Sequence, residues 1–468
     1  MLQFFPKQIS YKAIIVYFVA LAFISVVYFG YAMGLGYIAL GVVCVVGFFL
    51  LVSFYSRKWA EISAKWFSNR LFILAVSLRV VWVVASYFYY YQVTGQPFEL
   101  DTADALGYHE EAQWLASEGL STTWDYYFGS GYRGISDVGY PLYLSLLYSV
   151  FGPVIIIPRL IKALLSAYTC ILIYRLSSRT FGESTGRMAG VMAALMPNLI
   201  IYCGYHLKET EMVFLEVAFL ERMDYLMRSR KTTPLNLVLP VLILGSMFFF
   251  RTVWGAAAAF SFITAVVVSS APAMRKGWKR TALIGWGVLC LVFFAGGRIV
   301  TEVESYWEGR GENVEKKRYE QTVRGNQWAQ YATEAVMAPM IFVLPFSTMV
   351  DVDQQYAQQA KHGGNFIRNF MGFFALLAII EAFRRKQWRD FSLIGAFALA
   401  YLGVVSLSGF SNSERFLLPG LPCLIMMWAY GVSVLKKWSY KFLPYWCIIV
   451  FMMEFAWAFF KLGSRGLF

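Results

Sequence analysis

Runs of about twenty apolar residues recur along most of the chain, and short clusters of Lys and Arg separate them. A run of that length spans the hydrocarbon core of a bilayer as a helix. The pattern predicts spans at 13–33, 36–55, 71–91, 155–174, 188–204, 208–226, 234–250, 253–271, 281–299, 366–383, 391–409, 416–435 and 442–460, thirteen in all. Two more apolar stretches read differently. Counting 138–151 as a span would invert every later loop, and it is short. It reads as a helix lying on the outer membrane surface, from near Pro141 to a stop at Gly152-Pro153. Residues 335–350 carry Pro339 and Pro345, which argue against a regular span, so they read as an outer surface or re-entrant segment.

Composition agrees. Of 468 residues, 59% are hydrophobic, 18% aromatic and only 15% charged. Soluble domains carry about 25% charge, so three soluble domains are excluded, and so is disorder. The formal net charge of +13 points to nucleic acid only until the charges are placed. With the N-terminus cytoplasmic, 24 of the 41 bases fall in cytoplasmic segments. Lys7 and Lys12 come first, then Arg57, Lys58, Lys65 and Arg70, then Arg175, Arg179 and Arg187. The next segments hold Arg222, Arg228, Arg230 and Lys231, then Arg275, Lys276, Lys279 and Arg280. The last hold Arg384, Arg385, Lys386 and Arg389, then Lys436, Lys437 and Lys441. The short outer loops hold almost none, so the bases set topology and no nucleic-acid partner is implied. The start of the chain reads as an uncleaved signal anchor. The six cysteines lie in or beside apolar runs without a C-x-x-C pair, as buried small hydrophobes do. No internal repeat of the transporter kind and no soluble domain is visible.

Two outer regions, 92–154 and 300–365, are too long to be mere connections. Residues 92–137 hold eight acids (Glu99, Asp101, Asp104, Glu110, Glu111, Glu118, Asp125 and Asp137) and one base, Arg133. From Ala105 the segment reads as a helix stopped by Gly119, with Asp104 as a favoured N-cap. Asp101 and Asp104 follow directly on a span. Lys208, Arg251 and Arg415 begin or end other spans on the same side. A charge at the hydrocarbon edge faces a cavity or partner, or snorkels to headgroups. Three such bases beside an acidic pair suggest a phosphate site. Arg159, Lys162 and Arg79 are weaker candidates, Arg159 as a headgroup contact. Glu209 and Glu216 share a helix face, as an ion-pairing or a catalytic pair. His109 and His206, with Asp104 or Glu110, are conceivable ligands of a divalent metal, but metal spacing is absent. Trp114, Trp124, Tyr126 and Tyr127 suit sugar rings or an interfacial belt. In the second outer region Arg310, Lys316, Lys317, Arg318 and Arg324 read as a solvated helix or a cover over the site.

The order of motifs resembles a known pattern. Asp104-Ala105 leads through Tyr108-His109 to Ala112. GYPLYLSLLYSVFG follows at 139–152, PRLIKALLSA at 158–167, R-x-F-G-E at 179–183, MPNLIIYCGY at 196–205 and ERFLLPGLP at 414–422. Together these resemble the GT-C superfamily of integral-membrane glycosyltransferases, nearest the branch of protein O-mannosyltransferases and aminoarabinose transferases. The resemblance covers about 70–440. Residues 1–69 then form two extra helices with a cytoplasmic linker before a core at 70–468. It implies an all-α polytopic bundle with outer juxtamembrane helices and a donor sugar on a polyprenyl phosphate or diphosphate. The acceptor would be a lipid, glycan or protein hydroxyl. Transfer on the outer face would be inverting, with Asp104 or Asp101 as base and Lys208, Arg251, Arg415 and Arg159 on the donor phosphate. Tyr108, His109, His206 and Glu209 would support sugar or acceptor. The branch usually works without a metal. A polysaccharide polymerase or ligase, and a flippase, remain the alternatives. In a bacterium the site would face the periplasm from the inner membrane.

Overall fold

The computed structural model describes residues 3–100, 103–119, 122, 125–127, 136–229, 233–268, 281–288, 340–352, 355–407 and 413–463. Among them the regular structure is helical, with no strand. In chain order the helices are α1 (Lys7–Val27), α2 (Leu35–Lys58), α3 (Ala64–Thr94), α4 (Ala103–Glu118) and α5 (Gly139–Phe151). Then come α6 (Ile156–Phe181), α7 (Glu183–Leu195), α8 (Pro197–Ile201), α9 (Glu209–Arg228), α10 (Pro234–Phe250) and α11 (Thr252–Val268). The last are α12 (His362–Arg384), α13 (Trp388–Leu407), α14 (Glu414–Ser433) and α15 (Leu443–Gly463).

Among the described residues eight helices are long and apolar enough to cross a membrane, or nine if the bent α7–α8 pair is one span. Of the thirteen spans read from hydropathy, eight or nine are thus met by length and composition among the described residues. α9 matches 208–226, but Glu209, Glu211, Glu216, Glu221 and Asp224 make it too acidic to pass on composition. α10 and α11 match 234–250 and 253–271 at 17 residues each, short for a straight crossing. Most of 281–299 lies outside the described residues.

The break between α7 and α8 has a local cause. Pro197 lacks an N–H, so the Ala193 carbonyl loses its helical donor, and the axis bends by 52°. Arg79, buried on α3, supplies the missing donors. Its guanidinium donates to the carbonyls of Ala193 and Ala194, each at 3.1 Å, and to Ser166 Oγ at 2.7 Å. Arg79 is thus fully used in holding the bend and does not reach the outer site.

α5 begins at Gly139 and stops at Gly152, whose φ of 74° few other residues tolerate. α5 packs on α4, and Leu146, Val150 and Phe151 stay exposed on it. The segment 340–352 is not a helix lying on the surface. It is irregular and buried, held where Asn369 Nδ2 donates to the carbonyls of Val343 and Pro345 at 2.6 and 2.9 Å.

The two N-terminal helices pack tightly on the rest. α2 lies on α7 and α12, and α1 on α15. At the α2–α12 crossing a Cβ on Gly41 would overlap the His362 ring. Tyr17 of α1 places its hydroxyl 2.8 Å from His362 Nε2.

Among the described residues, polar contacts gather at two ends of the bundle. At one end Arg179 pairs with Glu221 and Asp224 at 2.8 Å, and Arg187 donates to the Trp59 carbonyl at 2.8 Å. Arg385 and Lys436 converge on Glu381 there too. The acidic helix α4 and the residues joining α8 to α9 lie at the other end.

Candidate functional site

α4 places the first carboxylate. Asp104 lies inside the first turn, not at the N-cap, because the helix starts at Ala103. The amide dipoles at a helix start favour a carboxylate there. Tyr108, one turn on, shares its face and packs edge-on against Tyr140 at 5.1 Å.

Arg415, in the first turn of α14, meets this face. Its Nη1 donates to Asp104 and its Nη2 lies 3.5 Å from the Tyr108 hydroxyl. Its Nε donates to Glu209, a fully buried carboxylate in the first turn of α9. One guanidinium thus bridges a fixed acid below and an exposed acid above, since Asp104 is 60% exposed and Glu209 0%.

Lys208 precedes Glu209 and is itself buried. It donates to the Phe250 carbonyl at 3.1 Å, pairs with Asp137 and lies 5.8 Å from the Tyr108 ring. Burial on this scale excludes simple snorkelling to headgroups. Asp137 sits at φ 73° in the turn before α5, a left-handed conformation that Asp tolerates better than most residues. Arg251 stacks on the ring of Phe416, the neighbour of Arg415, at 4.5 Å. One of its terminal nitrogens is buried without a hydrogen-bond acceptor. The patch therefore sets three cations, Lys208, Arg251 and Arg415, against three carboxylates, Asp104, Asp137 and Glu209. Asp104 and Asp137 are the exposed ones.

A second polar layer braces the patch. Glu99 accepts from the backbone N–H of His206 at 2.9 Å and pairs with Arg159 at 3.3 Å. Arg159 is fully buried, so it is not a headgroup contact. Lys162 donates to the carbonyls of Tyr205 and Leu207 and faces Glu211 at 3.6 Å. His109 Nδ1 lies 2.8 Å from the Tyr148 hydroxyl, which lies 3.2 Å from His206 Nε2. Phe98 packs edge-on against both rings. Burial holds His109 below the usual imidazole range. Burial, then the charges of Lys162 and Arg159, push His206 further down. Burial raises the Tyr108 phenol, so it stays protonated as a donor.

Beside these, Lys361 pairs with Glu414 at 3.1 Å and donates to the Tyr202 hydroxyl at 3.2 Å. Asn198 donates to Glu414 and to Asn365 at 3.0 Å. Glu414 directly precedes Arg415, so this network fixes the start of α14.

The structure brings together Asp104, Tyr108, Lys208, Glu209, Arg251 and Arg415. It places Arg159, His109 and His206 in the bracing layer. Asp101, Trp124 and the bases Arg310, Lys316, Lys317, Arg318 and Arg324 lie outside the described residues. Tyr127 is buried and donates to Glu111 at 2.9 Å, so its ring is not a sugar platform, whereas Trp114 and Tyr126 are exposed. Glu216 stays away from the patch, facing Cys423 Sγ at 3.7 Å inside the bundle. No cluster of three metal-ligating side chains occurs among the described residues. Sequence reasoning missed the roles of Asp137, Lys361, Glu414 and Asn198. The signal was a charge or amide bordering an apolar run.

No family model and no curated protein matches the chain. Among solved structures it is similar to the archaeal oligosaccharyltransferase AglB from Archaeoglobus fulgidus, in complex with an inhibitory peptide and a dolichol-phosphate. Identity is 12% over 88% of this chain and 56% of that one, at a TM-score of 0.45. A second structure, the Archaeoglobus fulgidus oligosaccharyltransferase tethered with an acceptor peptide containing the NVT sequon, gives 12%, 87%, 56% and 0.45. The chain spans little more than half the length of those structures.

Proposed function

We propose that this protein is an integral-membrane glycosyltransferase of the GT-C type. It moves a sugar from a polyprenyl-phosphate donor to a hydroxyl acceptor at the outer end of the bundle. The supporting observation is the bridge of Arg415 between exposed Asp104 and buried Glu209, flanked by Lys208 and Arg251. In the resting arrangement Asp104 and Asp137 occupy the cations that a donor phosphate would use. An arriving phosphate exchanges with them, takes Arg415 and Lys208, and frees Asp104 for the acceptor. Asp104, or Asp101 three positions earlier in the sequence, then accepts the hydroxyl proton while the oxygen bonds to the anomeric carbon. The carbon–oxygen bond to phosphate breaks, and the phosphate departs with the electron pair. A single displacement inverts the anomeric centre. General-base help is worth roughly 10²–10⁴-fold, and a fixed donor on developing charge about 10²–10³-fold. No step requires a metal.

The reading places the N-terminus in the cytoplasm and the site on the outer face, of the inner membrane in a bacterium. The thirteen crossings read from the apolar runs complete it. Three cations in one patch also suit a diphosphate carrier, the donor of a polysaccharide polymerase or ligase. Chromatography of the released lipid as monophosphate or diphosphate decides between the two. The test of the main reading is transfer from a polyprenyl-phosphate sugar by purified protein in lipid nanodiscs. Flux of lipid-linked sugar across vesicles with no transfer would sink it in favour of a flippase.

A further inference from the structure

The end of the bundle opposite Asp104 and Arg415 carries a second basic feature. Between the first turn of α1 and the last turn of α2 lies a groove of about 230 Å³. Lys7, Arg57 and Lys58 stand at its mouth, all exposed. Arg57 lies over the Phe4 ring at 4.6 Å and Lys58 over Phe54 at 5.2 Å, so aromatic faces hold both charges at the rim. Ser10 and Ser53 line the floor, but their hydroxyls already donate to the carbonyls of Phe49 at 2.9 Å and Phe5 at 3.2 Å. The charged donors left for a ligand are therefore the three cations. Among the described residues no carboxylate forms an ion pair with any of them. Below the rim the walls are apolar and open outward, with Tyr11 55%, Leu50 41% and Phe54 50% exposed.

A cationic rim above lipid-facing hydrocarbon walls matches a molecule with an anionic head and acyl tails. We propose that this groove holds one anionic phospholipid of the leaflet at that end. Its phosphodiester sits among Lys7, Arg57 and Lys58, and its chains lie along Tyr11, Leu50 and Phe54. Basic pockets between spanning helices take such headgroups, whereas snorkelling alone needs no groove. The site is independent of the glycosyltransferase reading, because its ligand and its end of the molecule differ.

The test is native mass spectrometry of the full chain with phosphatidylglycerol and phosphatidylcholine offered in equal amounts. One phosphatidylglycerol should be retained over phosphatidylcholine by about tenfold. The variant Lys7→Gln/Arg57→Gln/Lys58→Gln should lose that preference. The charge-preserving variant Lys7→Arg/Arg57→Lys/Lys58→Arg should keep it, as should Lys65→Gln/Arg70→Gln/Lys441→Gln, which removes three charges at the same end. Equal loss in the two Gln variants would mean diffuse surface attraction and overturn the site. So would an absence of preference in the unaltered protein. Displacement of the lipid by inorganic phosphate alone would make this a free-anion site and overturn the lipid assignment.

Discussion

Asp104 and Arg415 are separated by 311 positions in the chain and form an ion pair at one end of the bundle. The pair is asymmetric. Arg415 is anchored from below by buried Glu209, while Asp104 stands in solvent on α4. The exposed member is the acid, and that is the member proposed to do proton transfer.

Exchange between carboxylates and phosphate gives opposite signs for two effects of one substitution. Asp104→Asn removes a competitor for Arg415, so donor binding should hold or tighten while kcat falls by roughly 10²–10⁴. Asp137→Asn should also tighten donor binding, several-fold, but with turnover retained. Titration of a labelled polyprenyl phosphate alongside turnover checks both. Full kcat in Asp104→Asn would remove the base assignment.

Arg415 also has a structural role, because its loss leaves Glu209 buried without its partner. Breaking one side of a buried pair costs about 3–5 kcal/mol. Arg415→Ala should therefore lower thermal stability, and Arg415→Ala with Glu209→Gln should recover much of it. Donor affinity should stay lost in both. Recovery of donor binding in the double variant would show that Arg415 serves only the fold.

Arg79→Met should destabilise the protein chiefly through the α7–α8 bend, with the loss of the Ser166 contact beside it. The carbonyls of Ala193 and Ala194 lose their donor in a water-poor interior, at a cost of about 1–3 kcal/mol each. Thermal unfolding in detergent measures this. Donor affinity in the surviving fraction should match the unaltered protein.

The pH dependence follows from the histidines. His109 and His206 both sit below the usual imidazole range because burial disfavours their charged form. The unfolded chain thus takes up protons first as pH drops. Their contribution is complete above the ordinary value of about 6.5 and is lost as pH falls through and below it. Melting temperatures should decline on acidification, and His109→Gln with His206→Gln should flatten that slope. An unchanged slope would assign the decline to other groups.

Much of this was legible in sequence because the signals were local. Apolar runs and basic clusters marked α1, α2, α3 and α6, and Gly119 and Gly152 marked where α4 and α5 stop. The outer patch was legible as a list of charges at span ends. Its pairing was not. Asp137 with Lys208 and Lys361 with Glu414 are contacts made only once several helices have packed, and no spacing in the chain encodes them. α9 misled in the opposite way. Its acids look unsuited to a bilayer until Arg415, Lys162 and Arg179 are seen to meet Glu209, Glu211 and Glu221.

The seam where Tyr17 and Gly41 enclose His362 carries one more consequence. Stripping off the leading pair of helices would leave an imidazole without its phenol partner, bare toward acyl chains, and a channel where backbone once filled the space. That pair is masonry bonded into the wall, and shortening the protein from its front end would cost the whole building its footing.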